Sequence, residues 1–163
     1  MLIPIAISTL LLSAFFSGVE IAFISANKLK LELDKNTGKF PANIIAFFSK
    51  NESDFITTML VGNNIALVVY GIVMTQILTP KITGYFSSDF ALLMVQTIIT
   101  TLIVLVTAEF LPKAIFRVYP NQTLRIFSIP IWLFFVFFRP VALFMLFLSK
   151  LVLKYLLGQK MED

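Results

Sequence analysis

Residues 90–111 form a run long and apolar enough to cross a hydrocarbon core of about 30 Å, and it closes on Thr107-Ala-Glu-Phe-Leu-Pro-Lys113. A carboxylate at that depth is costly, and intramembrane carboxylates are functional by default. Pro112, three residues past Glu109, cannot donate to the carbonyl of Ala108, so that oxygen loses its intrahelical bond. The spacing therefore predicts a carboxylate and a freed carbonyl side by side at a helix end, where carbonyls carry partial negative charge and favour a cation. The plain alternative is a headgroup-level glutamate paired with Lys113 at i+4.

Two further runs match the first in length. Residues 2–26 carry Glu20 as their one charge, and residues 56–79 are expected to be interrupted early by Gly62-Asn63-Asn64. With 58% hydrophobic and 13% charged residues over 163 positions, the chain is an integral membrane protein. Its mean hydropathy is +0.92. The net charge of +4 comes from basic residues flanking the apolar runs, which fits a positive-inside bias and a lipid bilayer rather than nucleic acid. The chain has no cysteine and no histidine. Thiolate and imidazole metal sites, disulfides and Cys-His or Ser-His catalysis are thereby excluded, and no enzyme is expected. Any metal held by side chains must be a hard cation among oxygens.

Between the first two runs, residues 27–55 alternate charge with leucine, turn at Asn36-Thr-Gly-Lys39 and continue as an amphipathic piece. This predicts a helical hairpin on the membrane surface, and Lys28, Lys30, Lys35, Lys39 and Lys50 assign it to the cytoplasm. Residues 113–158 are ambiguous. Pro130, Pro140 and Arg139 oppose a simple fourth span, and a crossing would place Lys150, Lys154 and Lys160 outside. The expected fold is an all-α membrane protein, a single transmembrane domain. It has three transmembrane helices, a cytoplasmic helical hairpin between the first and second, and a belt of broken interfacial helices after the third. The amino terminus is outside and the carboxyl terminus inside; a kinked fourth span over 126–149 is the alternative.

Ser13, Ser17 and Glu20 follow i, i+4, i+7 and share a face, with Thr9 extending the stripe and Gly18 permitting close approach. Each hydroxyl alone could simply bond its own i−4 carbonyl. Asn63 and Asn64 are either interhelical glue or oxygens aimed at a cation, with Gly62 loosening the backbone. At 1.5 Å per residue, Ser17 lies about 22 Å and Glu109 about 28 Å below the outer face, and Asn63 roughly 10 Å above the inner one. All three fall in the inner half, which argues for one shared site open to the cytosol. Mg²⁺, Ca²⁺ and Na⁺ all suit such oxygens.

Phe16-Ser17-Gly18-x-Glu20-x-Ala22, Gly62-Asn63 and Glu109-x-x-Pro112-Lys113, in this order and spacing, resemble the transmembrane domain of the CorC/CNNM family of magnesium transporters. The resemblance implies a homodimer in the plasma (inner) membrane that exports Mg²⁺ from an inward-facing cavity, with Na⁺ entry as the coupling reaction. By motif position it implies Ser17, Asn63 and Glu109 as ligands, Gly62 through its carbonyl, and Ser13, Glu20 and Asn64 as weaker assignments. Gly18 and Pro112 are structural. A non-transporting membrane anchor that senses Mg²⁺ for a cytosolic domain is the alternative. Members usually carry glycine where this chain has Ala108, which would tighten the cavity. They usually continue into CBS modules that bind ATP, and a chain ending at Met161-Glu-Asp163 points to a piece of a longer protein.

Overall fold

The computed structural model describes residues 1–27, 29–31, 40–86 and 88–157, and every regular element among them is helical. In chain order these are α1 (Leu2–Ser25), α2 (Phe40–Lys50), α3 (Glu52–Ile82) with a 3₁₀ turn at Thr83–Tyr85, α4 (Asp89–Val104), a π turn (Leu105–Phe110), α5 (Leu111–Val118), α6 (Pro120–Ile126) and α7 (Ser128–Leu157). α4, the π turn and α5 form one unbroken helical run from Asp89 to Val118. Four helical segments are long and apolar enough to cross a membrane: α1, α3 with its 3₁₀ turn, the α4–α5 run, and α7. Part of the expected hairpin, residues 28 and 32–39, lies outside the described residues.

Interlocking aromatic rings hold together the end of the bundle where α1 finishes and α3 begins. Phe23 of α1 meets Phe55 of α3 with ring centroids 4.3 Å apart, and Phe48 of α2 meets Phe55 at 4.5 Å. Phe135 of α7 packs on both Phe48 and Phe55. α2 is amphipathic, burying Ile44, Ile45 and Phe48 in this cluster while Asn43 faces out. Each large ring removes some 150–250 Å² from its surroundings, and edge-to-face pairs add about 0.5–1.5 kcal/mol beyond area.

Contacts between spans set their directions. Phe23 sits beside Phe55, a Cβ at Gly62 would meet Phe16, and Ser13 bonds Asn63. Numbers fall along α1 as they rise along α3, so the two are antiparallel. Ala6 clusters with Ile103 and Val104, a Cβ at Gly18 would meet Phe116, and the Asn27 backbone N–H donates to Asn121 Oδ1 at 3.0 Å. Here the numbers rise together, so α1 and the α4–α5 run are parallel.

Three local expectations are corrected. α3 passes through Gly62-Asn63-Asn64 without interruption, because three residues inside a 31-residue helix keep their backbone bonds whatever their side chains prefer. Glu109 does not end a helix. The π turn absorbs the strain of Pro112, which sits in the first turn of α5 where a missing N–H is tolerated. And α7 is one helix across Pro140, not several broken ones; Pro130 lies in its first turn, where proline is accommodated.

α7 does not run alongside α1. Phe127, just before it, packs on Phe15, and Phe138 packs on Phe16, each pair of rings 5.7 Å apart. The stretch from Phe127 to Phe138 rises about 16 Å, yet its two ends touch adjacent residues of α1. α7 therefore crosses α1 steeply. Its Arg139 lies 4.0 Å from Asp54, in the first turn of α3, and its guanidinium stands 5.6 Å from the Phe135 ring centroid. That pairing is how the helix accommodates a charge in the middle of an apolar run.

Candidate cation site

Hydroxyls in apolar helices usually bond back to the preceding turn. Thr9, Thr58, Thr75, Thr79, Thr100 and Thr107 all do so here, at 2.6–2.9 Å. Ser13 and Ser17 do not. Ser13 Oγ instead donates to Asn63 Oδ1 at 2.7 Å, joining α1 to α3, and both residues are buried. Ser17, one turn further along α1, is fully buried and its Oγ has no hydrogen-bond partner. A dry, unpaired hydroxyl costs roughly 1–3 kcal/mol. Something beyond packing accounts for its retention.

The third span reaches the same level. Ile103 and Val104 pack on the cluster of Ala6, Tyr70 and Val73, and Gly18 lies opposite Phe116. Counting back in step from the Gly18–Phe116 contact sets the Glu109 backbone level with about Leu11, within roughly one helical turn of Ser13. α1 packs directly against the π turn that carries Glu109. Glu109 is partly buried, whereas its neighbours Ala108 and Pro112 are buried. Pro112 has no N–H, so neither the i−5 carbonyl of Thr107 nor the i−4 carbonyl of Ala108 receives a bond from it. The proline thus withholds its bond inside a π turn within a span, and not at a helix end as the sequence predicts. π turns of this kind recur at functional sites.

Glu20 is half-buried on α1, near enough to Lys113 and Glu109 to be attracted by the first and repelled by the second. The structure therefore gathers Ser13, Ser17, Glu20, Asn63 and Glu109 around the contact of α1 with α3 and the π turn. Asn64 is not gathered with them; it is exposed on the outer side of α3. Gly62 and Gly18 both make room for rings. A Cβ on Gly62 would lie 2.8 Å from Phe16 Cζ, and one on Gly18 would lie 2.5 Å from Phe116 Cδ2.

Among the described residues no three acidic side chains converge. A cation here would be met mainly by neutral oxygens: two serine hydroxyls, an amide oxygen, a freed carbonyl and one carboxylate. Such a set suits a hard cation. Two further buried polar residues, Tyr70 of α3 and Gln96 of α4, are not among the expected site residues. Spacing carried a signal for Tyr70, which stands seven residues from Asn63 on the same helical face.

Residues 4–163 match the family model described as the cyclin M transmembrane N-terminal domain, CNNM. The chain is also 29% identical over 111 residues to the UPF0053 inner membrane protein YfjD of Escherichia coli (strain K12), an alignment covering 68% of this chain and 24% of that protein. The chain thus spans about a quarter of the length of that curated relative. Four membrane-length helices, a buried oxygen cluster and a family match over nearly the whole length agree: the chain belongs to the CNNM family as a multi-pass transmembrane domain.

Proposed function

We propose that this domain moves Mg²⁺ across the membrane, exporting it from an inward-facing site in exchange for entering Na⁺. Family membership supports a divalent-cation transport or sensing role. The observation that carries the site is the unpaired Ser17 hydroxyl, buried one turn from the Ser13–Asn63 bond on the helix that packs against the π turn of Glu109.

Mg²⁺ takes six oxygens at about 2.0–2.1 Å and parts with its waters reluctantly. Ser17 Oγ, Ser13 Oγ, Asn63 Oδ1, the Glu109 carboxylate and the carbonyl freed by Pro112 supply up to five, with water completing the shell. Ser13 can turn its proton from Asn63 and offer lone pairs instead. Gly62 would contribute, in place of that water, through the second lone pair of its helix-bonded carbonyl. Lys113 and Glu20 set the charge at the inner mouth: an ammonium near two carboxylates leaves the empty site with one net negative charge, and a divalent ion reverses its sign.

In this reading the amino terminus is outside and the carboxyl terminus cytoplasmic. α7 lies along the inner interface as part of the belt, and two copies form a homodimer. The steep crossing of α7 over α1 supports the belt, as does the contact of Arg139 with the start of α3. A sensor that binds Mg²⁺ without moving it uses the same oxygens. Its footing is that the chain aligns with only 24% of a longer relative, leaving room for a responding domain. Proteoliposomes loaded with Mg²⁺ and a fluorescent indicator separate the two. Release that depends on an opposing Na⁺ gradient is expected, and binding without release under any gradient would sink the transport reading.

A further inference from the structure

On the outer side of the Ser13–Asn63 pair the spans close on one another through apolar side chains. Ala6 of α1 and Tyr70 and Val73 of α3 are buried there, and Ile103 and Val104 pack on them from the third span. This layer contains one anomaly. Tyr70 is 2% exposed, and its hydroxyl has no hydrogen-bond partner. A buried tyrosine normally finds one, and phenylalanine would fill the same space without leaving an oxygen dry.

Further out, Gln96 of α4 is buried and its Oε1 lies 3.3 Å from the Thr79 hydroxyl, which shares its proton with the nearer Thr75 carbonyl. The buried polar groups between the spans therefore fall in sequence from the inner half outwards: Ser17, then Ser13 with Asn63, then Tyr70, then Gln96 with Thr79. Apolar side chains interrupt that line at the Tyr70 layer. A narrow apolar layer excludes water and closes a path without any charged barrier.

We propose that Tyr70 is the outer gate of the ion path. Its ring, seated among Ala6, Val73 and Ile103, seals the site from the outside. Its hydroxyl is retained because it hydrogen-bonds the hydration shell of the cation as the layer opens. The inference rests on the transport reading for its flux arm and on geometry alone for its accessibility arm.

Both arms use the protein in proteoliposomes. Tyr70→Phe deletes one oxygen and keeps the ring, so it folds. It should cut Mg²⁺ release at least fivefold while Mg²⁺ affinity by calorimetry stays within twofold. The chain has no cysteine, so Ala66→Cys, at a buried position one turn inward of Tyr70 on α3, gives a single thiol behind the gate. That thiol should resist a membrane-impermeant maleimide added outside, and react when Tyr70→Ala is added. Full release by Tyr70→Phe, or equal labelling with and without the tyrosine, overturns the proposal. If the unaltered protein releases no Mg²⁺, the transport reading fails by itself, and the labelling still decides whether Tyr70 seals the outer side.

Discussion

Gly62 can serve the site through its carbonyl or the fold through its missing side chain, and substituting it tells the two apart. A Cβ there would stand 2.8 Å from Phe16 Cζ and 3.0 Å from Cε1. Ordinary carbon contact is about 3.5–4.0 Å, so the Phe16 ring must retreat by over half an ångström. It has little room to do so. Phe16 is 1% exposed and is backed by Phe134 at 5.1 Å and Phe138 at 5.7 Å between ring centroids. Overpacking of that kind costs about 1–3 kcal/mol. Gly62→Ala should lower stability by that amount in denaturant unfolding of the detergent-solubilised protein. Phe16→Leu alone should cost about 1 kcal/mol or more through lost ring contacts. The double variant should be more stable than the sum of the two changes allows, because leucine clears the space that the new methyl needs. A coupling of at least 1 kcal/mol is expected from residues in direct contact. Additive losses, or no loss in Gly62→Ala, would refute the steric account and leave the backbone role standing.

Other outcomes follow from the same geometry. Ser17→Ala should raise stability by about 1 kcal/mol by removing a dry hydroxyl and weaken Mg²⁺ binding several-fold. A stability loss with unchanged affinity would show that Ser17 is not a ligand. Glu109→Gln should abolish specific Mg²⁺ binding in calorimetry, since it removes the carboxylate carried by the π turn, and retained binding would dismiss the site. Cysteines at Ile129 and Tyr155, both exposed on α7, should be labelled from the cytosolic side only; labelling of Tyr155→Cys from outside would make α7 a fourth crossing. Arg139→Met should be tolerated far better than Asp54→Leu, because the latter leaves an unpaired guanidinium in an apolar helix. Equal losses would mean that the 4.0 Å pair carries little.

What the sequence alone determined was set by solvent and composition. Apolar runs of spanning length and sparse charge leave a helical membrane protein, since a lipid core allows no unsatisfied backbone, and the absence of histidine and cysteine rules out imidazole and thiolate ligands. The stripe of Ser13 and Ser17, Asn63 and the Glu109–Pro112 pair was legible because such residues are costly in lipid wherever they face. The tertiary structure decided the remainder. Local rules read Gly62-Asn63-Asn64 as an interruption, but α3 is continuous because packing against α1 outweighs propensity. They read Pro112 as a helix end, and a π turn carried the helix past it. Asn63 and Asn64 are indistinguishable in sequence, yet one bonds Ser13 and the other is exposed, because helical phase sets which of two neighbours faces α1. Likewise only the packed spans reveal that Ser17 and Tyr70 keep hydroxyls with nothing to bond, since a missing partner is a property of the surroundings and not of the residue.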